Sequence, residues 1–321
     1  MKKFLIRFFV FLLILAAAAY LLYPFAADQY AKWQDTQLMA EYREIVRGMT
    51  RGQMTGMMND AAAYNRQLES FTAGDVFTVP QGRTSHAYRA LMDVKNGVIG
   101  QLSIPKIQVS LPIYHSADDK RATQYLVHLE GSSLPADGGG THIVLAGPGK
   151  LKAKDLPGQI GLTGARMLED LDQVTPGDLI ILTVLDRTMV YRVEWAQTLA
   201  PDGLQHLDLT AREDEDALTL MTEKMERRLL VRGVRVKADE VQEELRQGDR
   251  AGLMPDWQSV LLLGSPVLLL GMIYLWIVER FKKRSYRLPI DWKDDWDRAD
   301  DARSKADNDG GNASEDDDDE E

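Results

Sequence analysis

The sequence predicts a mainly β domain of the antiparallel barrel or sandwich type, preceded by an α-helical N-terminal region and flanked by two transmembrane helices. Three observations carry this. Two apolar stretches long enough to cross a bilayer lie near the ends of the chain. Apolar residues at three- and four-residue steps fill residues 28–72. From residue 97, short β-branched runs follow one another with a single helical insert, the pattern of a barrel or sandwich and not of alternating βαβ units.

At the N-terminus, residues 4–23 are apolar with Arg7 as the only charge, after Lys2 and Lys3. Roughly 20 residues at about 1.5 Å each cross the ~30 Å hydrocarbon layer, so residues 1–27 read as a transmembrane anchor or signal-anchor. A cleaved leader ending at Ala26-Ala27 is the alternative. Residues 28–96 form the helical region, where Trp33, Leu38, Tyr42, Ile45, Val46 and Met49, then Met57, Met58, Ala61, Tyr64 and Leu68, repeat at helical spacing. Gly48, Gly52 and Gly56 weaken its middle, which predicts two helices or one bent one.

Within residues 97–238, strands are expected at 98–102, 107–111, 142–146, 179–185, 189–195, 217–222 and 229–236, with a hairpin at Asp186-Arg187 and a short helix at 165–174. Residues 239–256 read as a linker. Residues 257–278 form an uncharged second span followed by Glu279-Arg280-Phe281-Lys282-Lys283-Arg284. The basic residues beside both spans place the two termini in the cytoplasm and the barrel outside, at the plasma membrane.

Charge and cysteine content narrow the chemistry. The net charge is −11, and residues 291–321 alone hold 15 acidic against 4 basic side chains, so the rest of the chain is balanced. The segment 279–321 thus reads as a basic stop followed by an acidic disordered cytoplasmic tail. A balanced body gives no case for nucleic-acid binding. There is no cysteine, hence no disulfide, thiolate metal site or cysteine nucleophile. The five histidines are scattered, so no metal site is expected, and no phosphate loop or other cofactor signature is present.

Several stretches between Gly97 and Val236 carry a family likeness: Ile104-Pro105-Lys106-Ile107, Leu111-Pro112-Ile113-Tyr114, His128-Leu129-Glu130-Gly131-Ser132-Ser133-Leu134-Pro135, Thr141-His142, Leu168-Glu169-Asp170-Leu171-Asp172, Gly177-Asp178, Thr188 to Val193, and Arg228-Leu229-Leu230-Val231-Arg232-Gly233. In content and order these resemble the sortases, and specifically the class C, pilin-polymerising group of Gram-positive bacteria. The resemblance implies a closed β-barrel and a cysteine transpeptidase in which a thiolate attacks an LPxTG-like sorting signal, a histidine donates a proton and an arginine stabilises the oxyanion.

Carried over residue by residue, the resemblance breaks at the chemistry. The histidine position is Pro148, within Ala146-Gly147-Pro148-Gly149, and the cysteine position is Glu223, ending Thr219-Leu220-Met221-Thr222-Glu223. Arg228 is retained, after a connection shorter than the family's. No catalytic residue is assigned. His142 lies about 20 Å back along its strand if that strand is straight, His128 reads as packed or hydrogen-bonded, and His115 and His206 read as loop residues. Two readings of Glu223 stay open: a partly buried ion pair with Arg228 that plugs the old site, or a solvated residue in a tight turn. Class C sortases also carry a lid with an Asp-Pro-aromatic motif, to which Asp75-Val76-Phe77 corresponds with valine for proline, so Asp75 and Phe77 are candidate relic-lid residues.

The expected function is therefore a membrane-anchored sortase-like pseudoenzyme that binds, scaffolds or regulates in pilus or surface-protein assembly, with a pilin, a sorting-signal peptide or an active sortase as partner. The alternatives are an active hydrolase or transpeptidase of unrecognised chemistry, and a transmembrane adaptor signalling through its acidic tail.

Overall fold

In the computed structural model, residues 2–78, 84–116, 122–136, 139–150, 166–237, 239–241, 271–272, 280 and 298–305 are described. The chain divides into two units, one comprising Met1–Leu15 with Val260–Glu321, the other Ala16–Ser259. The second unit holds the barrel.

Two long helices precede it, α1 (Lys2–Gly48) and α2 (Arg51–Asn65). The break falls beside Gly48. Thr50 restarts the helix with a reciprocal cap, its hydroxyl accepting from the Gln53 N–H while the Gln53 side chain accepts from the Thr50 N–H. Met39, Tyr42 and Val46, one face of α1, are buried. Tyr42 fastens this face: its hydroxyl donates to the Ile99 carbonyl at 2.8 Å and accepts from the Leu185 N–H at 3.0 Å. Asn65 does the same for α2, exchanging two hydrogen bonds with the Leu134 backbone. A five-residue helix, α3 (His86–Ala90), follows.

Eight strands close a barrel: β1 (Val98–Ile104), β2 (Val109–His115), β3 (Leu126–His128), β4 (His142–Pro148), β5 (Leu179–Val184), β6 (Arg187–Leu199), β7 (Ala217–Lys224) and β8 (Arg227–Val236). Their order around the barrel is β1-β2-β3-β4-β7-β8-β6-β5. The expected all-antiparallel arrangement is corrected, because β2 with β3 and β4 with β7 are parallel. β7 enters between β4 and β8, and β4 is buried along its whole length, as a central parallel strand should be. Leu102, Leu126, Val144, Ile180, Leu218 and Leu230, one from each of six strands, exclude solvent completely. Gly100 is required at the β1/β5 contact: a Cβ there would lie 2.4 Å from the Thr183 carbonyl oxygen.

Other expectations shift. The strand placed at 107–111 begins at Val109, since Pro105 starts a 3-10 turn, Pro105–Ile107, and Gln108 takes a left-handed conformation. The helix expected at 165–174 is only the 3-10 turn Leu171–Gln173. Leu168, Leu171 and Val174 are all buried, and their strict three-residue spacing suits that tighter winding. The hairpin expected at Asp186-Arg187 does join β5 and β6, but its turn is 185–186, one residue earlier, with Arg187 already paired to Val184. Among the described residues no helix is long and apolar enough to cross a membrane. Residues 4–23 are helical within α1, with side chains described only in part, and the span 257–278, the linker 239–256 and the tail lie largely outside the described residues.

Candidate functional site

Strand register builds the site. Parallel pairing of β4 with β7 sets Pro148 beside Glu223, and antiparallel pairing of β7 with β8 sets Glu223 beside Arg228. The three positions singled out in the sequence therefore form one row across three neighbouring strands. β7 and β8 are joined by the two-residue turn Met225-Glu226, both residues at positive φ (48° and 61°). That primed turn twists with the strands and fixes the register of Glu223 against Arg228. Met225 at its tip is 89% exposed.

Arg228 is among the most deeply buried large side chains, at 2% exposure. Its partner is Asp75: Nε donates to Oδ1 at 2.7 Å and Nη2 to Oδ2 at 2.8 Å, a forked pair that satisfies both carboxylate oxygens. Nη1 donates to the Arg227 carbonyl oxygen at 3.2 Å. The Phe77 ring covers the guanidinium, its centroid 5.2 Å from Cζ. Thr78 donates its hydroxyl to Asp75, and the Phe77 N–H does so at 3.4 Å. Burial alone would push the Asp75 carboxyl up, but the Arg228 and Thr78 hydrogen bonds and the Arg228 charge outweigh it and hold the carboxyl below its ordinary value.

Glu223 lies farther from the arginine. Its Oε2 is 3.8 Å from Nη1, and its side chain is 42% exposed. Of the two open readings, neither describes the site fully: Glu223 faces Arg228 but stays wet, and Asp75 occupies the arginine.

The segment carrying Asp75 and Phe77 is tied down on both sides. Before it, the Phe71 N–H donates to the Thr210 hydroxyl at 3.0 Å and the Phe71 carbonyl accepts from the Leu209 N–H at 3.0 Å. Gly131, at φ +96°, leaves room for the Phe71 ring, which a Cβ would meet at 3.1 Å. After it, the Ser85 N–H and hydroxyl donate to the Glu130 carboxylate, and Tyr88 reaches His128. Sequence reasoning missed these ties, since their partners lie up to 139 residues away, and it passed over Thr78, whose partner Asp75 is only three residues back.

The histidines stand elsewhere. His128 is fully buried, Nε2 2.8 Å from the Ser133 carbonyl and Nδ1 2.7 Å from the Tyr88 hydroxyl. A carbonyl only accepts, so Nε2 carries the proton, and the single Tyr88 hydroxyl proton is shared between Nδ1 and the His128 carbonyl at 2.9 Å. Burial pushes the imidazole down to about 3, so it stays neutral. His142 begins β4, six residues before Pro148, and bonds Thr219 at 2.8 Å; burial and the Arg232 charge bring it to about 4. His115 is corrected from a loop residue to the buried end of β2, while His206 closes a 3-10 turn, Pro201–His206. Among the described residues no cluster of acidic and histidine side chains is placed to hold a metal ion.

Comparison with known proteins gives the site a context. The sortase-domain family model matches residues 102–236. Among solved structures, sortase C of Streptococcus pneumoniae, a structure concerned with catalysis and pilin substrate specificity, is 28% identical over 63% of this chain and 97% of that one, with a TM-score of 0.52. Sortase C1 of Streptococcus agalactiae is 31% identical, covering 63% of this chain and 98% of that one at TM-score 0.50. Sortase C-1 of Actinomyces oris is 32% identical, covering 58% and 99% at TM-score 0.50. No curated protein sequence matches the chain significantly.

Proposed function

Because the chain belongs to the sortase family and yet carries Pro148 and Glu223 in the row with Arg228, we propose that it lacks transpeptidase activity and acts as a binding, scaffolding or regulatory partner in pilus or surface-protein assembly. The observation that carries this reading is the register row. Acyl transfer of the sortase type needs a thiolate and a proton-exchanging group, and proline at one position removes the second while glutamate at the other removes the first. A Glu223 carboxylate would have to attack an unactivated peptide bond and form an anhydride, with no acid in the row to assist the leaving amine.

The proposal includes anchoring in the plasma membrane with the barrel outside. Phe8 to Leu13 and Leu15 of α1 are 41–63% exposed, an apolar surface suited to lipid. The uncharged run 257–278 supplies the second span, and Lys2, Lys3, Arg7 and Arg280 to Arg287 put both ends in the cytoplasm. The partner is a pilin, its sorting-signal peptide or an active sortase, received where the Asp75 segment now lies.

The test is a pull-down of the full-length protein, wild type against Arg228→Ala, with a sorting-signal peptide and with intact pilin subunits. Capture by the wild type that the variant loses supports a reused cleft. No capture by either removes the cleft from the function and leaves the acidic tail as the informative part.

A further inference from the structure

We propose that Glu223 is a second docking carboxylate for Arg228, so that the lid opens by passing the guanidinium from Asp75 to Glu223. It rests on reading the segment that carries Asp75 and Phe77, which pairs with and covers Arg228, as a lid in its closed position.

A deeply buried arginine with no acid beside it is expensive, because desolvation is no longer offset by pairing. If Asp75 were the sole carboxylate within reach, lifting the lid would strand Arg228. Register instead places Glu223 directly opposite, on the same face of the β7/β8 pair. The guanidinium, bonded to Asp75 and through Nη1 to the Arg227 carbonyl, already has Glu223 on its other side. Asp75 holds Nε and Nη2, while Nη1 lies 3.8 Å from Glu223 Oε2, within an ångström of hydrogen-bond distance. Glu223 is 42% exposed, so part of its side chain is free of packing and a small rotation can close the remaining distance. The two-residue turn keeps residues 223 and 228 opposite each other whatever the lid does. The neighbouring Lys224 does not compete for Glu223, being paired with Asp172 at 2.5 Å.

When Asp75 and Phe77 leave together, Nε and Nη2 of Arg228 lose their acceptors, and Glu223, already beside Nη1, is the carboxylate at hand. The site then has two paired states, Asp75–Arg228 with the lid closed and Glu223–Arg228 with it open, the kind of two-state element that a partner can bias.

The absence of cysteine allows a clean probe. Ala73, at the start of the lid, is 1% exposed. In full-length protein carrying Ala73→Cys, the rate of thiol labelling reports lid opening. Adding Asp75→Asn is expected to speed labelling. Adding Glu223→Gln is expected to slow it roughly tenfold, because the open state loses its ion pair. Labelling unchanged or faster with Glu223→Gln overturns the proposal, since Glu223 would then be idle or would support the closed state. Labelling of Ala73→Cys alone at the rate of an exposed thiol overturns the closed-lid reading itself, which separates the two failures. Thermal unfolding without the probe gives a second measurement: Asp75→Asn with Glu223→Gln should cost more than the sum of the single losses. A purely additive loss contradicts the proposal.

Discussion

Replacing Asp75 by alanine tests whether the lid aspartate neutralises the buried arginine. Arg228 is 2% and Asp75 9% exposed, so this is a buried pair, for which removing one partner costs about 3–5 kcal/mol. Glu223, 3.8 Å away, can move in and return about 1–2 kcal/mol as a charged contact. The net expected loss is about 2–3 kcal/mol. At about 2–4 °C per kcal/mol for a unit of this size, the melting temperature of the full-length protein should fall by about 5–10 °C, followed by circular dichroism. The dependence on pH follows from the depressed Asp75 carboxyl: the pair's contribution is fully present above the ordinary aspartate value of 3.8 and is lost as pH falls through the lower folded value. The difference between wild type and variant should therefore be constant from neutral pH down to about 5 and close only in strong acid. Replacing both partners, Asp75→Leu with Arg228→Met, should recover much of the loss, because no lone charge remains buried. A shift under about 2 °C, the scale of an exposed ion pair, would refute the reasoning.

Three further outcomes are expected. Tyr42→Phe leaves the Ile99 carbonyl and the Leu185 N–H without their partner in a buried contact, and should cost about 1–3 kcal/mol in thermal or denaturant unfolding with little change in secondary structure. His115, His128 and His142 are all held below the ordinary value of 6.5 by burial, so the unfolded chain takes up protons that the folded chain refuses; stability should be full above pH 6.5 and fall towards pH 4, by up to ~1.4 kcal/mol per pH unit for each histidine, in urea titrations at stepped pH. Finally, Glu223→Cys should yield a thiol with a pKa below about 8.5, read from the pH dependence of iodoacetamide labelling, because Arg228 faces it in register. Arg228→Met in the same background should reverse that shift.

How far the sequence alone reaches is visible in particular elements. Runs such as Val144-Leu145-Ala146 and Ile180-Ile181-Leu182 announce buried strands, because continuous β-branched and aliphatic residues have few other uses. β3 is three residues long, too short to show any period, and was not separable from the loop around it. Strand pairing is illegible for a different reason: the aligned starts of β4 and β7, His142 and Ala217, are 75 residues apart, and nothing local says that the two strands run parallel. At the site, Pro148, Glu223 and Arg228 were found through the family likeness, and only register places them in one row. Asp75 was named from a short triplet, but its forked contact with a residue 153 positions later is tertiary. Sequence proximity across a tight turn points to the nearer carboxylate, Glu223, whereas the forked pair is made by Asp75.

The most direct measurement is intact-mass analysis of the full-length protein after incubation with an LPxTG-like sorting-signal peptide under conditions where the two bind. The expected result is an unmodified chain and an uncleaved peptide. A peptide cut within the motif, or a covalent acyl adduct on the chain that Glu223→Gln abolishes, would contradict a sortase-family protein that binds without turning over.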